Sequence, residues 1–202
     1  MLEAGTELKN PVEGEAAMIL FINTCVRPES RTRWLANQVL DRIKGDDTVK
    51  EIKPRNMPLN NTMLQRRSQL AGRGEFDDPI FDDARLFASA DKIVIAAPYW
   101  DLSFPSSLKT FIEAIKIVGL VFAYKEDGTP YGLCKARTLI YVTTAGGPIL
   151  SDAYGYGYIK ELARSFYGIM DTRCVSAEGL DIIGADVKGI LANAVEKMDI
   201  GN

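Results

Sequence analysis

The sequence predicts an α/β protein built on a doubly wound, five-stranded parallel sheet of order 2-1-3-4-5, with helices on both faces. Two observations predict it. Apolar runs such as Met18-Ile-Leu-Phe-Ile-Asn23 and Lys92-Ile-Val-Ile-Ala-Ala97 do not alternate with polar residues, the pattern of strands buried on both faces. Between such runs lie segments with apolar residues at helical spacing, so strand and helix alternate along the chain.

The elements follow in order. Met1 to Glu15 is polar and unpatterned and reads as a flexible N-terminal arm, leaving 16–202 as a single domain. Met18 to Asn23 is the first strand. Thr32 to Ile43 is a helix, because Leu35, Val39 and Ile43 recur every four residues and would face the sheet, with Gly45 as its stop. Val49 to Ile52 makes a short second strand. Pro54 to Asp83 is polar and irregular, with helical pattern only around Met63 to Leu70. Asp82 to Ala90 is a helix and Lys92 to Ala97 the third strand. Pro105 opens a helix reaching Val118, since proline suits a first helical turn. Phe122 to Tyr131, with Asp127-Gly128 inside it, reads as a small hairpin or excursion. Arg137 to Thr143 is a strand, Tyr158 to Tyr167 a helix, Arg173 to Ala177 the last strand and Ala185 to Met198 the closing helix.

Composition narrows the chemistry. At 202 residues, 47% hydrophobic and 25% charged, the chain can bury a core without staples. A net charge of −3 argues against nucleic acid or an anionic membrane as partner. No apolar run is long enough to span a bilayer and Met1 to Gly14 lacks the zones of a secretory signal, so the cytoplasm is the expected location. Cys25, Cys134 and Cys174 are widely spaced and form no CxxC pair, which disfavours disulfides, thiolate metal sites and a nucleophilic role. Histidine is absent, which rules out Ser-His and Cys-His dyads and HExxH zinc sites. A cofactor carrying its own redox chemistry fits such a chain best.

In doubly wound sheets the ligand sits beyond the carboxyl ends of the strands at the switch point, which singles out three loops. The first carries Thr24, Arg27, Ser30, Arg31 and Thr32 before a helix, a donor set suited to a phosphate dianion. Ser30 and Thr32 serve equally well as plain helix caps. The second, Pro98-Tyr-Trp-Asp-Leu-Ser-Phe-Pro105, concentrates large side chains that suit a flat aromatic ligand, or else a dimer contact or core plug. The third, Thr143-Thr-Ala-Gly-Gly-Pro148, has paired glycines that let a ligand approach the backbone, or that simply make a tight turn.

Together these loops resemble the flavodoxin-like family of FMN-dependent NAD(P)H azoreductases and NAD(P)H:quinone oxidoreductases. The likeness runs from about Met18 to Met198 and rests on the order of short motifs. These are Ser30-Arg-Thr32, Pro98-Tyr-Trp-Asp-Leu-Ser-Phe-Pro-Ser-Ser-Leu-Lys109, Gly119-Leu-Val-Phe-Ala-Tyr124 with Gly132-Leu133, Thr144-Ala-Gly-Gly147 and Ala177-Glu-Gly-Leu-Asp181. The resemblance implies that 16–202 binds FMN. It places the phosphate against Thr24, Ser30, Arg31 and Thr32, and the ring along Pro98, Tyr99, Trp100, Asp101 and Leu102. Thr144, Gly146 and Gly147 would lie on the ring's polar edge, and Phe122 would border the substrate space. It further implies a homodimer, NADH or NADPH as reductant, and a quinone or azo acceptor reduced by hydride transfer with no catalytic side chain. Three residues depart from the family pattern: Asp101 for Asn, Trp100 for Tyr and Ala145 for Arg. A rival from another class is a non-enzymatic flavodoxin-like electron carrier or regulatory flavin-binding module, although the Thr/Ser-x-Thr-Gly-x-Thr loop usual in carriers is missing. A relative of the same fold that has lost FMN is a third reading.

Overall fold

The structure is a computed structural model that describes residues 16–54 and 60–201. The arm expected over Met1 to Glu15 lies outside the described residues. In chain order the elements are β1 (Met18–Asn23), α1 (Arg31–Ile43), β2 (Thr48–Ile52), α2 (Asn61–Gly72), a 3-10 turn (Pro79–Phe81), α3 (Asp82–Ser89) and β3 (Lys92–Ala96). There follow α4 (Ser106–Ile115), β4 (Phe122–Tyr124), β5 (Pro130–Gly132), β6 (Thr138–Thr144), α5 (Tyr156–Leu162), β7 (Asp171–Ala177) and α6 (Val187–Glu196).

The main sheet has the order β2-β1-β3-β6-β7, with every neighbouring pair parallel. Counting only its own strands, this is the expected 2-1-3-4-5. β4 and β5 form a separate antiparallel hairpin, as Asp127-Gly128 predicted.

Alternate residues of each central strand feed two cores, which is why these strands read as unbroken apolar runs. Leu20, Ile22, Ile93, Ile95, Leu139 and Tyr141 face α3, α4 and α5, where Phe87, Leu108, Phe111 and Ile159 meet them. Ile19, Phe21, Val94, Ala96, Ile140 and Val142 face the other way, onto Leu35, Ala36 and Val39 of α1 and the partly buried Ile190 and Leu191 of α6.

Three of the boundaries that differ from the sequence pattern have a clear local reason. α2 starts at Asn61 because the Asn60 side chain accepts from the Met63 N–H at 2.9 Å, a cap inside the stretch that periodicity left open. α4 stops at Ile115, not Val118. Lys116 leaves the helical region, which turns Ile117 and Val121 inward, and Gly119 completes the bend at φ 85°. The helix through Tyr167 begins earlier, at Tyr156, and closes as a π turn over Ala163–Tyr167, where left-handed Gly168 donates its N–H to the Ala163 carbonyl. That turn points Tyr167 at Phe87, ring centroids 4.8 Å apart.

Candidate functional site

The carboxyl ends of β1 and β3 lie side by side, with Asn23 opposite Ala96 in the register. β2 extends the sheet on one side of this pair and β6 on the other, so the loops after β1, β3 and β6 converge at the switch point. They enclose a cleft of about 810 Å³. Its lining includes Ser30, Arg31, Thr32, Pro98, Tyr99, Trp100, Thr144 and Gly146. Eight of the residues singled out from three separate stretches of sequence therefore share one space.

At one end of the cleft stands the N-terminus of α1. Ser30 is its cap, its Oγ accepting from the Arg33 N–H at 3.2 Å. The capping role is therefore met, and the hydroxyl keeps its own proton to donate. The first helical N–H groups have no carbonyl within the helix to accept them, and α1 has no acidic residue in its first turn. Thr32 is buried, and its hydroxyl lies 2.6 Å from that of Thr144 at the end of β6. This hydroxyl pair joins the first loop to the third.

The wall after β3 is shaped by a tight turn. Trp100 and Ser103 exchange backbone hydrogen bonds, and the two residues between them, Asp101 and Leu102, sit at φ 49° and 67°. Two successive left-handed residues define a type I′ turn. Asp and Asn both tolerate that region, so Asp101 meets the same backbone demand as Asn would. Leu102 does not suit it. Tyr99 is pinned by its N–H to the Thr144 carbonyl at 3.0 Å and by its hydroxyl to the Ser151 carbonyl at 3.3 Å. Of the large side chains in this loop, Phe104 packs against Tyr158, whereas Tyr99 and Trp100 line the cleft.

The third loop is held by its own backbone. The Gly146 carbonyl accepts from the Asp181 N–H at 2.8 Å, and the Gly147 carbonyl from the Gly179 N–H at 3.0 Å. A Cβ on Gly146 would displace the exposed Asp181 carboxylate from its present position. Gly147, Asp101 and Leu102 flank the lining without belonging to it.

Two expected residues are not brought to the cleft within this chain. Thr24 is buried behind its wall, with its hydroxyl donating to the Ala96 carbonyl at 2.9 Å. Phe122 opens the β4 hairpin and is 3% exposed, edge-to-face with Phe166 at 5.2 Å. Conversely, Leu180 and Asp181 line the cleft although periodicity did not mark them. Asp181 Oδ1 accepts from Arg31 Nη1 at 2.7 Å. A partner 150 positions away has no local signature; only the motif Ala177-Glu-Gly-Leu-Asp181 marked the stretch. Burial raises the pKa of the Cys25 thiol and pushes that of Cys134 up to about 12, which disfavours the thiolate at both.

The donor set fits FMN: hydroxyls and helix amides for a phosphate at one end, a flat aromatic wall for a ring at the other, in a volume usual for cofactor clefts. Two carboxylates on the lining run against an anion, those of Glu29 and Asp181.

Comparison with known proteins agrees with this geometry. A family model described as flavodoxin-like fold matches residues 17–199. An FMN-dependent NADH:quinone oxidoreductase of Clostridium acetobutylicum is 33% identical over 192 residues, covering 89% of this chain and 94% of that protein. Among solved structures, an azoreductase from Bacillus anthracis superposes with a TM-score of 0.74 at 22% identity, covering 90% of this chain and 96% of that one. An FMN-dependent NADH-azoreductase from the same species, solved in complex with FMN, gives 0.74 at 23% identity, with 90% and 95% covered. At that identity the structural likenesses speak for the fold. This chain belongs to the flavodoxin-like fold family and, within it, to the family of the proteins named FMN-dependent NADH:quinone oxidoreductase.

Proposed function

We propose that this chain is an FMN-dependent NAD(P)H oxidoreductase that reduces quinones or azo compounds by two-electron hydride transfer. Its support is the names of its relatives together with one observation. The hydroxyl-lined start of α1 and the Pro98–Trp100 wall open into a single cleft. FMN, when bound, supplies the redox chemistry between a nicotinamide and an acceptor.

The chain's own part is to bind and orient. Ser30, Thr32 and the first amides of α1 hold the phosphate, with the Arg31 guanidinium at hand. Pro98, Tyr99 and Trp100 shelve the ring, flanked by Asp101 and Leu102, and the Thr144–Gly147 backbone lines its polar edge. No side chain is assigned a catalytic role. The working unit is a homodimer. Exposed apolar side chains crowd the loops at the carboxyl edge of the sheet, among them Val26, Trp100, Leu102, Leu150 and Ile183, and a second copy would cover such a rim. A cytoplasmic location is supported by the three free cysteines. No helix among the described residues is long and apolar enough to cross a membrane.

The test is a visible spectrum of the purified protein, followed by NADH and NADPH oxidation with menadione and with an azo dye as acceptors. A yellow protein that sediments as a dimer and turns over both acceptors is expected. A colourless protein that takes up no added FMN would end the proposal. Bound flavin with negligible turnover would favour the electron carrier.

A further inference from the structure

The carboxylate of Asp181 bridges the two polar walls of the cleft. Oδ1 accepts from Arg31 Nη1 at 2.7 Å, while Oδ2 lies over Gly146, in the space that a Cβ there would fill. Arg31 is the first residue of α1 and donates a second bond, from the same nitrogen, to the Leu180 carbonyl at 3.2 Å. Arg31, one of the two arginines that line the cleft with Arg27, is thus engaged by the loop after β7. An incoming phosphate dianion would meet a carboxylate of like charge on the same rim.

We infer that Asp181 holds the Arg31 guanidinium in reserve, so that the cofactor phosphate must compete with this carboxylate for it. The chain then binds FMN less tightly than its helix terminus and hydroxyls would allow. This rests on the proposed FMN site and adds a residue that sets how firmly that site holds the phosphate. Both partners are exposed, the side chain of Arg31 by 41% and that of Asp181 by 66%, so their pairing is weak and can exchange for a dianion. A bidentate guanidinium–phosphate contact is the stronger of the two alternatives.

The test uses the full chain stripped of flavin and titrated with FMN and, separately, with riboflavin, following the quenching of flavin fluorescence. Melting curves of each apo-protein serve as the fold control. Asp181→Asn preserves shape and the backbone bond to Gly146. It should tighten FMN binding by about three- to tenfold at low salt, an effect that fades as salt screens the charges. Riboflavin, which lacks the phosphate, should bind the variant and the parent alike. In an Arg31→Gln background the gain should vanish, because the two side chains act as one unit. Unchanged or weaker FMN binding in Asp181→Asn would overturn the inference, as would an equal gain for riboflavin or a gain that survives Arg31→Gln. A parent chain that binds neither flavin would instead remove the site reading, and this inference with it.

Discussion

At the scale of single residues, the site's most informative feature is the strained pair Asp101-Leu102. A type I′ turn favours Asn-Gly, and this chain places Leu where glycine is preferred, at a cost of about 1–2 kcal/mol. Such strain persists only where the surroundings enforce it, and it gathers at ligand-binding loops. Leu102→Gly should therefore raise stability by about 0.5–1 kcal/mol, the relief of strain exceeding the added freedom of the unfolded chain. Urea unfolding measures it. A loss of stability larger than 1 kcal/mol would mean that the half-exposed Leu102 side chain anchors the loop. The turn was legible only in part: a cluster of large residues marked the loop as unusual, but nothing in Asp101-Leu102 announced two left-handed residues in succession.

At the scale of elements, the β4–β5 hairpin is held to the domain by backbone contact. Gly132 lies against the main chain of Tyr167 and Gly168, where a Cβ would strike carbonyl and amide atoms that no rotamer change can move. Gly132→Ala should cost roughly 3 kcal/mol or more, lowering Tm by about 6–12 °C. Gly128→Ala, in the exposed turn of the same hairpin with nothing nearby, should cost only about 1 kcal/mol from its φ of 82°. Thermal melts of both decide the matter; equal losses would show that the close approach at Gly132 carries no weight. The hairpin itself was readable from Asp127-Gly128. Its docking, and with it the burial of Phe122, depended on the π turn after α5, which periodicity does not encode.

At the scale of the whole molecule, burial of ionisable groups gives the fold a pH limit on the alkaline side. The Cys134 thiol is pushed up to about 12, and burial raises the phenols of Tyr141 and Tyr167 above their usual value. Unfolded, these groups release protons near pH 8.5 and 10, while the folded chain retains them. The unfolded state then binds fewer protons, so stability present at pH 8 is lost as pH rises. Each group contributes a slope of about 1.4 kcal/mol per pH unit within its window. Urea unfolding at pH 8, 9, 10 and 11 should show a decline that starts near pH 9 and steepens above 10. A flat profile would contradict the buried, protonated state of all three.

What the sequence determined by itself was the architecture. Unbroken apolar strands and four-residue helical spacing are local patterns, and they specify a doubly wound sheet whose switch point must lie beyond β1 and β3. From that rule alone the loops holding Ser30, Tyr99 and Gly146 were in view. Tertiary structure decided which side chains reach the cleft and which are held back. Thr24 turns its hydroxyl to the Ala96 carbonyl, Phe122 packs against Phe166, and Asp181 crosses to Arg31. The reason is physical: a strand's position follows from its own hydrophobic period, whereas a side chain's partner depends on segments that meet only after the chain has folded.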